Sequence, residues 1–334
     1  MQTRPLGPSG IDASVVALGT WQFGGWMWGG GDEDECTRAV DAALDAGVNF
    51  IDTAPIYSLG HSEQLVGRAL KGKRDRAVIS TKCGMVANPE KGEPKFSVSS
   101  LTADPLGLVD IHIYLGPESI RKELEMSLKR LGTDYIDLYF THWQESTTAI
   151  ADTMAELEKQ RDAGKIRAIG ASNATASQLA EYDAAGTLDA DQEPFSMVQR
   201  DIEGDNLPYV REHGKALLAY SPMQRGLLTG KLTPDRELPE GDHRRGDPLY
   251  GKESRQRVQS MLKTFEPIAE AHGVSIPALV IAWTVAQPGV THALCGSRRP
   301  EHILDTAKAG EITLSDDDLS TMNEAIDQHT AEMA

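Results

Sequence analysis

Eight short runs rich in β-branched and aliphatic residues alternate with amphipathic helical patterns along this chain, and no other feature narrows its fold as much. The runs are VVALG at 15–19, VNFID at 48–52, AVIST at 77–81, YIDLYFTH at 135–142, IRAIGAS at 166–172, TLDADQ at 187–192, KALLAY at 215–220 and THALCG at 291–296. Most are continuously apolar, as strands covered on both faces are. Helical periodicity predicts helices over 33–46, 62–71, 118–131, 148–163, 175–184, 204–212, 275–286 and 300–308. Gly47, Gly132 and Gly164 stand where helix C-caps are expected. Eight βα units predict an α/β fold, a closed (β/α)8 TIM barrel forming one domain over 1–334. An open doubly wound sheet is the alternative, but no GxGxxG follows the first run. The opening RPLGPSGIDASVV reads as a β-hairpin turning at Pro8-Ser9-Gly10, placed to plug the barrel bottom.

Composition excludes several function classes. A formal net charge of −17 disfavours nucleic acid and anionic lipid as partners, while leaving room for one local basic pocket. No run of about 18 apolar residues predicts a membrane span. The start of the chain lacks the apolar core of a secretory signal. Cys36, Cys83 and Cys295 are too few and too scattered for a disulfide framework or a zinc site, so no metal is expected. A cytoplasmic protein with reduced thiols is the expectation.

Three segments exceed what a connection needs: the Gly- and Trp-rich loop after the first run, 83–117, and 222–254. All leave the C-terminal ends of strands, the face on which barrels build their sites. Trp21, Trp26 and Trp28 in the first of these loops, with Trp143 after the fourth run, predict an apolar substrate pocket there.

The strand ends carry the chemistry. Asp52 ends the second run, Tyr57 follows in the next loop, Lys82 ends the third, and His142 ends the fourth. Taken singly, each has a bland account: an N-cap, a packing aromatic, a solvated strand end, a satisfied buried histidine. Together on one rim they suit carbonyl reduction, in which negative charge develops on oxygen and must be met by a proton or strong donors. A phenol is a slow donor at neutral pH, and a nearby ammonium is expected to bring its pKa down. A carboxylate keeps the lysine charged and oriented, and an imidazole can hold the carbonyl oxygen in line.

Over nearly its full length the chain resembles the aldo-keto reductase family. The resemblance rests on RPLGPSG, GTWQFGG, FIDTAPIYSLGHSEQLVGRAL, STKCG, SIRKELEMSLKRLGTDYIDLYFTHW, GKIRAIGASN, LLAYSPMQRGLLTGK and GSRRPEHI. It implies a catalytic tetrad of Asp52, Tyr57, Lys82 and His142, and reversible NADPH-dependent reduction of an aldehyde or ketone, with NADP preferred to NAD. It also implies that Ser172, Asn173 and Gln192 hold the nicotinamide carboxamide and that Tyr220 stacks on the ring. Gly19, Thr20 and Trp21 match contacts after the first strand. Ser221, Met223, Gly226, Leu228 and Lys231 match the stretch crossing the pyrophosphate, and Ser297, Arg298, His302 and Asp305 match the adenosine end. The basic pair Arg298-Arg299, at a loop-to-helix junction, suits the extra phosphate of NADP.

Two other classes compete. The family resemblance also covers cofactor-sensing regulatory subunits of potassium channels, and an intact tetrad is compatible with that role. A metal-dependent hydrolase barrel would need Asp52, His61 and His142 to cluster, without the further histidines and carboxylates such sites use. The expected partner is a small-molecule carbonyl, and a monomer is favoured over a homo-oligomer.

Overall fold

The computed structural model describes residues 1–25, 31–87, 89–99, 108–238, 240, 242 and 244–331. Trp26 and Trp28 lie outside the described residues. The chain opens with β1 (Thr3–Pro5), β2 (Asp12–Ser14) and β3 (Val16–Gly19). Then follow α1 (Glu33–Asp45), β4 (Phe50–Asp52), α2 (His61–Ala69) and β5 (Val78–Cys83). An excursion comes next: β6 (Met85–Ala87), β7 (Glu93–Ser99) and β8 (Leu108–Ile113). The alternation resumes with α3 (Pro117–Leu131), β9 (Ile136–Thr141), α4 (Ile150–Asp162), β10 (Ile166–Ser172), α5 (Ala176–Ala185), β11 (Ala190–Pro194), α6 (Asn206–Glu212) and β12 (Ala216–Tyr220). The remainder is α7 (Lys252–Thr264), α8 (Glu266–His272), α9 (Ile276–Ala286), β13 (His292–Gly296), α10 (Pro300–Ala307) and α11 (Asp316–Thr330).

Strands β3, β4, β5, β9, β10, β11, β12 and β13 close into one parallel barrel. These are the eight runs of the sequence, in order. The closure follows from local chemistry: most of these strands are apolar on both faces, so one face must meet helices and the other must meet the opposite strands. Ala17, Phe50, Val78, Leu138, Phe140, Ala168, Ala190, Ala216, Leu218 and Leu294 form the inner cluster. Residues of opposite parity, such as Ile51, Ile79, Tyr139 and Ile169, join the helix-facing core. Gly170 is glycine because a Cβ there would lie 2.3 Å from the Phe140 ring that fills the barrel.

The hairpin β1–β2 pairs antiparallel, and Leu6 and Ile11 from it enter the inner cluster, sealing the barrel bottom as the sequence predicts. Gly132 ends α3 with a left-handed φ of 64° that satisfies a terminal carbonyl. The two long segments whose conformation the sequence leaves open each take a definite form. Within 83–117 the strands β6, β8 and β7 form an antiparallel sheet of their own. The segment 222–254 is a succession of short turns at Gln224–Thr229 and Pro248–Tyr250 before α7. Helices α7, α8 and α11 stand outside the βα count and were not expected. Among the described residues, no single helix is long and apolar enough to cross a membrane.

Candidate active site

The inward rows of the barrel turn polar one pleat below the C-terminal rim. Side chains two apart on a strand share a face, so Phe50 leads to Asp52 and Val78 to Ser80 and Lys82. Phe140 likewise leads to His142, Ala190 to Gln192, and Leu218 to Tyr220. Register makes them neighbours: Asp52 lies opposite Ser80 on β5 and Gly19 on β3, and Ser172 lies opposite Gln192. Tyr57 reaches the same mouth from the turn after β4, where its N–H donates to the Ala54 carbonyl at 3.1 Å. The next two residues, Ser58 and Leu59, take left-handed φ values of 51° and 52°, and Ser58 Oγ ties the turn to the Phe23 carbonyl at 2.8 Å.

Lys82 is fully buried and donates to both oxygens of Asp52, at 3.0 and 2.9 Å, and to the Thr53 carbonyl at 2.9 Å. Its Nζ lies 3.4 Å from the Tyr57 hydroxyl. Asp52 Oδ1 also accepts from Ser80 Oγ at 2.8 Å and from Gln192 Nε2 at 3.0 Å. The His142 ring meets the Tyr57 ring edge-on, with centroids 5.9 Å apart. Its main chain is fixed on both sides: its N–H donates to the Cys83 carbonyl and its carbonyl accepts from Asn173 Nδ2 at 2.8 Å. The four residues of the expected tetrad are therefore one contiguous cluster.

Its electrostatics correct one expectation. Burial pushes the Tyr57 phenol well above its ordinary value, and the charge of Asp52 pushes the same way. The downward pull expected from Lys82 does not prevail, because the ammonium is paired to both oxygens of Asp52 and its field is largely cancelled at the phenol. Burial also lowers the pKa of Lys82, against the opposing pull of Asp52 and Glu63. Burial, with the Lys82 charge second, drives His142 well below its usual value, so its imidazole is neutral at physiological pH. The site at neutral pH thus holds a neutral phenol, a neutral imidazole and a buried ion pair.

A cavity of about 630 Å³ opens over this cluster. Asp52, Tyr57 and His142 line its floor, and Lys82 sits just beneath. Ile56, Met85, Phe96 and Trp143 form an apolar wall. Met85 and Phe96 come from the small antiparallel sheet, and Lys95 of that sheet places its Nζ 3.5 Å from the centre of the Trp143 ring. Trp21 lines the cavity as expected.

The cavity continues over Gly19, Thr20, Ser172, Asn173, Gln192, Tyr220, Ser221, Met223, Gly226 and Lys231 to Arg298, His302 and Asp305. Two residues of the expected set do not line it. Leu228 is packed in the core, and Ser297 is buried with its hydroxyl donating to the Arg299 carbonyl. Arg299, the second member of the expected basic pair, also lines the cavity, and sequence reasoning missed Gln22, Arg225 and Arg244. Arg244 is clasped by Asp242 through two bonds, 2.9 and 2.6 Å, and donates to the Arg225 carbonyl at 3.0 Å. Asn173, Ser221 and Arg225 take left-handed φ of 54°, 54° and 48° along this wall. Such strained backbone clusters where a ligand is gripped.

The far end is cationic. Lys231, Arg298 and Arg299 line it beside His302, whose imidazole burial holds below its ordinary pKa, and Asp305 opposes them with a carboxylate that accepts from Ser275 Oγ at 2.7 Å. Arg299 is 3.6 Å from Glu35 and 3.8 Å from Glu301. An elongated cavity with amide and hydroxyl groups at one end and cations at the other fits a nicotinamide dinucleotide. His61 bonds to Glu33 at 2.8 Å and Gln64 at 3.2 Å, and among the described residues no group of three potential metal ligands exists.

Comparison with known proteins gives a consistent set. The family model described as the aldo/keto reductase family matches residues 15–327. The chain is 39% identical over 330 residues to the NADH-specific methylglyoxal reductase of Escherichia coli (strain K12), covering 97% of this chain and 98% of that protein. It is 36% identical over 326 residues to an aldo-keto reductase of Bacillus subtilis (strain 168), covering 97% and 93%. Among solved structures, the glycerol dehydrogenase of Gluconobacter oxydans superposes with a TM-score of 0.86 at 37% identity, covering 97% of this chain and 94% of that one.

Proposed function

The chain belongs to the aldo/keto reductase family, and from that premise we propose that it reduces a small aldehyde or ketone to the alcohol with NADPH, Tyr57 giving the proton. The observation that carries this reading is the neutral Tyr57 phenol held beside the buried Lys82–Asp52 pair at an apolar mouth. The nicotinamide cofactor supplies the hydride when bound. Ser172, Asn173 and Gln192 would hold its carboxamide, with Tyr220 against the ring. Gly19, Thr20 and Trp21 would border the nicotinamide end, and Ser221, Met223, Gly226 and Lys231 would follow the pyrophosphate. Arg298, His302 and Asp305 would hold the adenosine end, with Leu228 and Ser297 supporting from behind.

The protein's own part is proton transfer and charge. As the substrate oxygen gains electron density, the Tyr57 O–H bond breaks and its proton goes to that oxygen, while His142 steadies the same oxygen. The phenolate left behind lies beside the Lys82 ammonium until solvent restores its proton. Raising the phenol pKa slows alcohol oxidation but keeps the donor loaded for reduction. Trp21, Trp143, Phe96, Met85 and Ile56 would form the substrate pocket and exclude water. In this reading the chain acts as one domain and as a monomer.

Cofactor choice turns on this chain's own residues, because one relative named above is NADH-specific. The 2′-phosphate of NADPH needs local cations on a chain of net charge −17. Arg298 and Arg299, with Lys231, supply them, and a guanidinium can bond two phosphate oxygens. The test is fluorescence titration of NADPH and NADH into wild type and Arg298→Ala, alongside a carbonyl panel followed by cofactor absorbance. Losing ~1.5–3 kcal/mol of charged hydrogen bonding weakens NADPH by roughly 10- to 100-fold, with NADH nearly unaffected. Equal losses, or wild-type preference for NADH, would refute the NADPH assignment. Inertness toward every carbonyl with both cofactors would refute the reductase reading.

A further inference from the structure

Outside the barrel wall, behind the proposed carboxamide site, lie two acids for which the mechanism has no use. Asp191 and Glu193 stand two apart on β11, on the opposite face from Gln192, and both are buried. Glu193 Oε1 accepts the N–H of Ala174 at 2.8 Å. Asn206, the first residue of α6, donates through its Nδ2 to the Ala174 carbonyl at 2.8 Å and to Asp191 Oδ2 at 2.9 Å. Ala174 is thus gripped at both its N–H and its C=O. The residue before it is Asn173, in a left-handed conformation, whose Nδ2 donates to the His142 carbonyl and whose Oδ1 accepts from the Tyr220 hydroxyl at 2.8 Å.

We propose that Glu193, Asp191 and Asn206 are positioning residues that clamp Ala174 and so hold Asn173 in the strained turn that receives the cofactor carboxamide. The inference rests on the reading of Asn173 as a cofactor contact. Asparagine is among the few non-glycine residues that adopt this backbone region, but a single geometry there still has to be fixed by its neighbours, and the clamp is what does so. Among the described residues the buried Asp191 Oδ1 has no hydrogen-bond donor, and a proton kept on the neighbouring Glu193 would supply one. Burial raises both carboxyls, which favours keeping that proton.

The experiment compares Glu193→Val, Asn206→Ala, Glu193→Gln and Asn173→Ala by NADPH fluorescence titration, by kcat at saturating NADPH, and by thermal melting. Glu193→Val and Asn206→Ala each lose one half of the clamp, so NADPH binding weakens about tenfold, the scale of one lost hydrogen bond, while kcat at saturation stays within about threefold. Glu193→Gln keeps both the acceptor for Ala174 and a donor for Asp191, so it retains near-wild-type affinity. Asn173→Ala weakens NADPH at least as much, and adding Glu193→Val to it costs little more, because both act through one side chain. That non-additivity is what a merely structural acid would not produce. If Glu193→Val does not fold, Asn206→Ala carries the same comparison. Wild-type affinity in Glu193→Val or Asn206→Ala, with Asn173→Ala impaired, overturns the clamp. Full additivity in the double variant also overturns it. An Asn173→Ala protein with unchanged affinity overturns instead the cofactor reading beneath it.

Discussion

Lys82 spends its ammonium protons on Asp52 and the Thr53 carbonyl, with Tyr57 at the edge of its reach. Replacing it tests both stability and chemistry. Lys82→Met leaves Asp52 charged and buried, a change that costs about 3–5 kcal/mol, read by urea unfolding. The unopposed Asp52 charge then raises the Tyr57 phenol further, so kcat falls and the alkaline limb of alcohol oxidation moves to higher pH. An unchanged profile in both directions would remove Lys82 as the perturber. In wild type, the raised phenol predicts a reduction kcat that does not decline as pH climbs toward ~10, where an ordinary phenol ionises. The cluster of Asp52, Tyr57, Lys82 and His142 was legible in the sequence because three of them lie at strand ends, Tyr57 follows in the next loop, and all lie within recognisable motifs. The direction of the Tyr57 shift was not, since it depends on how completely Asp52 neutralises Lys82. Arg225 and Arg244 carry no local signal either, because only the folded turns of 222–254 bring them over the cavity.

The elements divide into those that seal the barrel and those that shape its mouth. Leu6 of the hairpin is fully buried among Ala17, Phe50 and Leu138 at the barrel bottom. Leu6→Ala should destabilise the fold by about 2–5 kcal/mol, while kcat at a temperature below melting stays at the wild-type value. A loss of kcat without a loss of stability would show that the hairpin does more than plug. The sheet of β6, β7 and β8 was hidden inside what reads as a long loop, yet LVDIHI at 108–113 does alternate. Its significance lies in Met85 and Phe96 on the cavity wall. Helices α7 and α11 also carry local signals, an apolar Val258–Met261–Leu262 stripe and a Ser315 capping box, which a reading confined to βα units passes over.

At the scale of the molecule, closing the barrel buries histidines that must stay neutral. His292 lies at the barrel bottom edge-on to Phe50, fully buried, with its Nδ1 2.8 Å from Thr291 Oγ1. Burial pushes its pKa down to about 3. Its folded pKa is below the unfolded value of ~6.5, so the unfolded chain binds the extra proton first. Stability is therefore lost as pH falls below about 6.5, at up to about 1.4 kcal/mol per pH unit for this one group. Urea melts at successive pH values should show a shallower acid decline for His292→Leu than for wild type. Parallel declines would place the acid sensitivity elsewhere. The alternation of apolar runs made this closed architecture readable in advance, whereas the cost of its buried imidazoles follows only from packing.

The account stands or falls most directly on Tyr57→Phe, which removes one hydroxyl and nothing else. Steady-state oxidation of NADPH with a reducible carbonyl, together with NADPH titration of the same variant, measures it. The predicted result is turnover lower by ~10² or more, with cofactor affinity and melting temperature essentially those of wild type. A variant that keeps most of its turnover would contradict the assignment of Tyr57 as the proton donor.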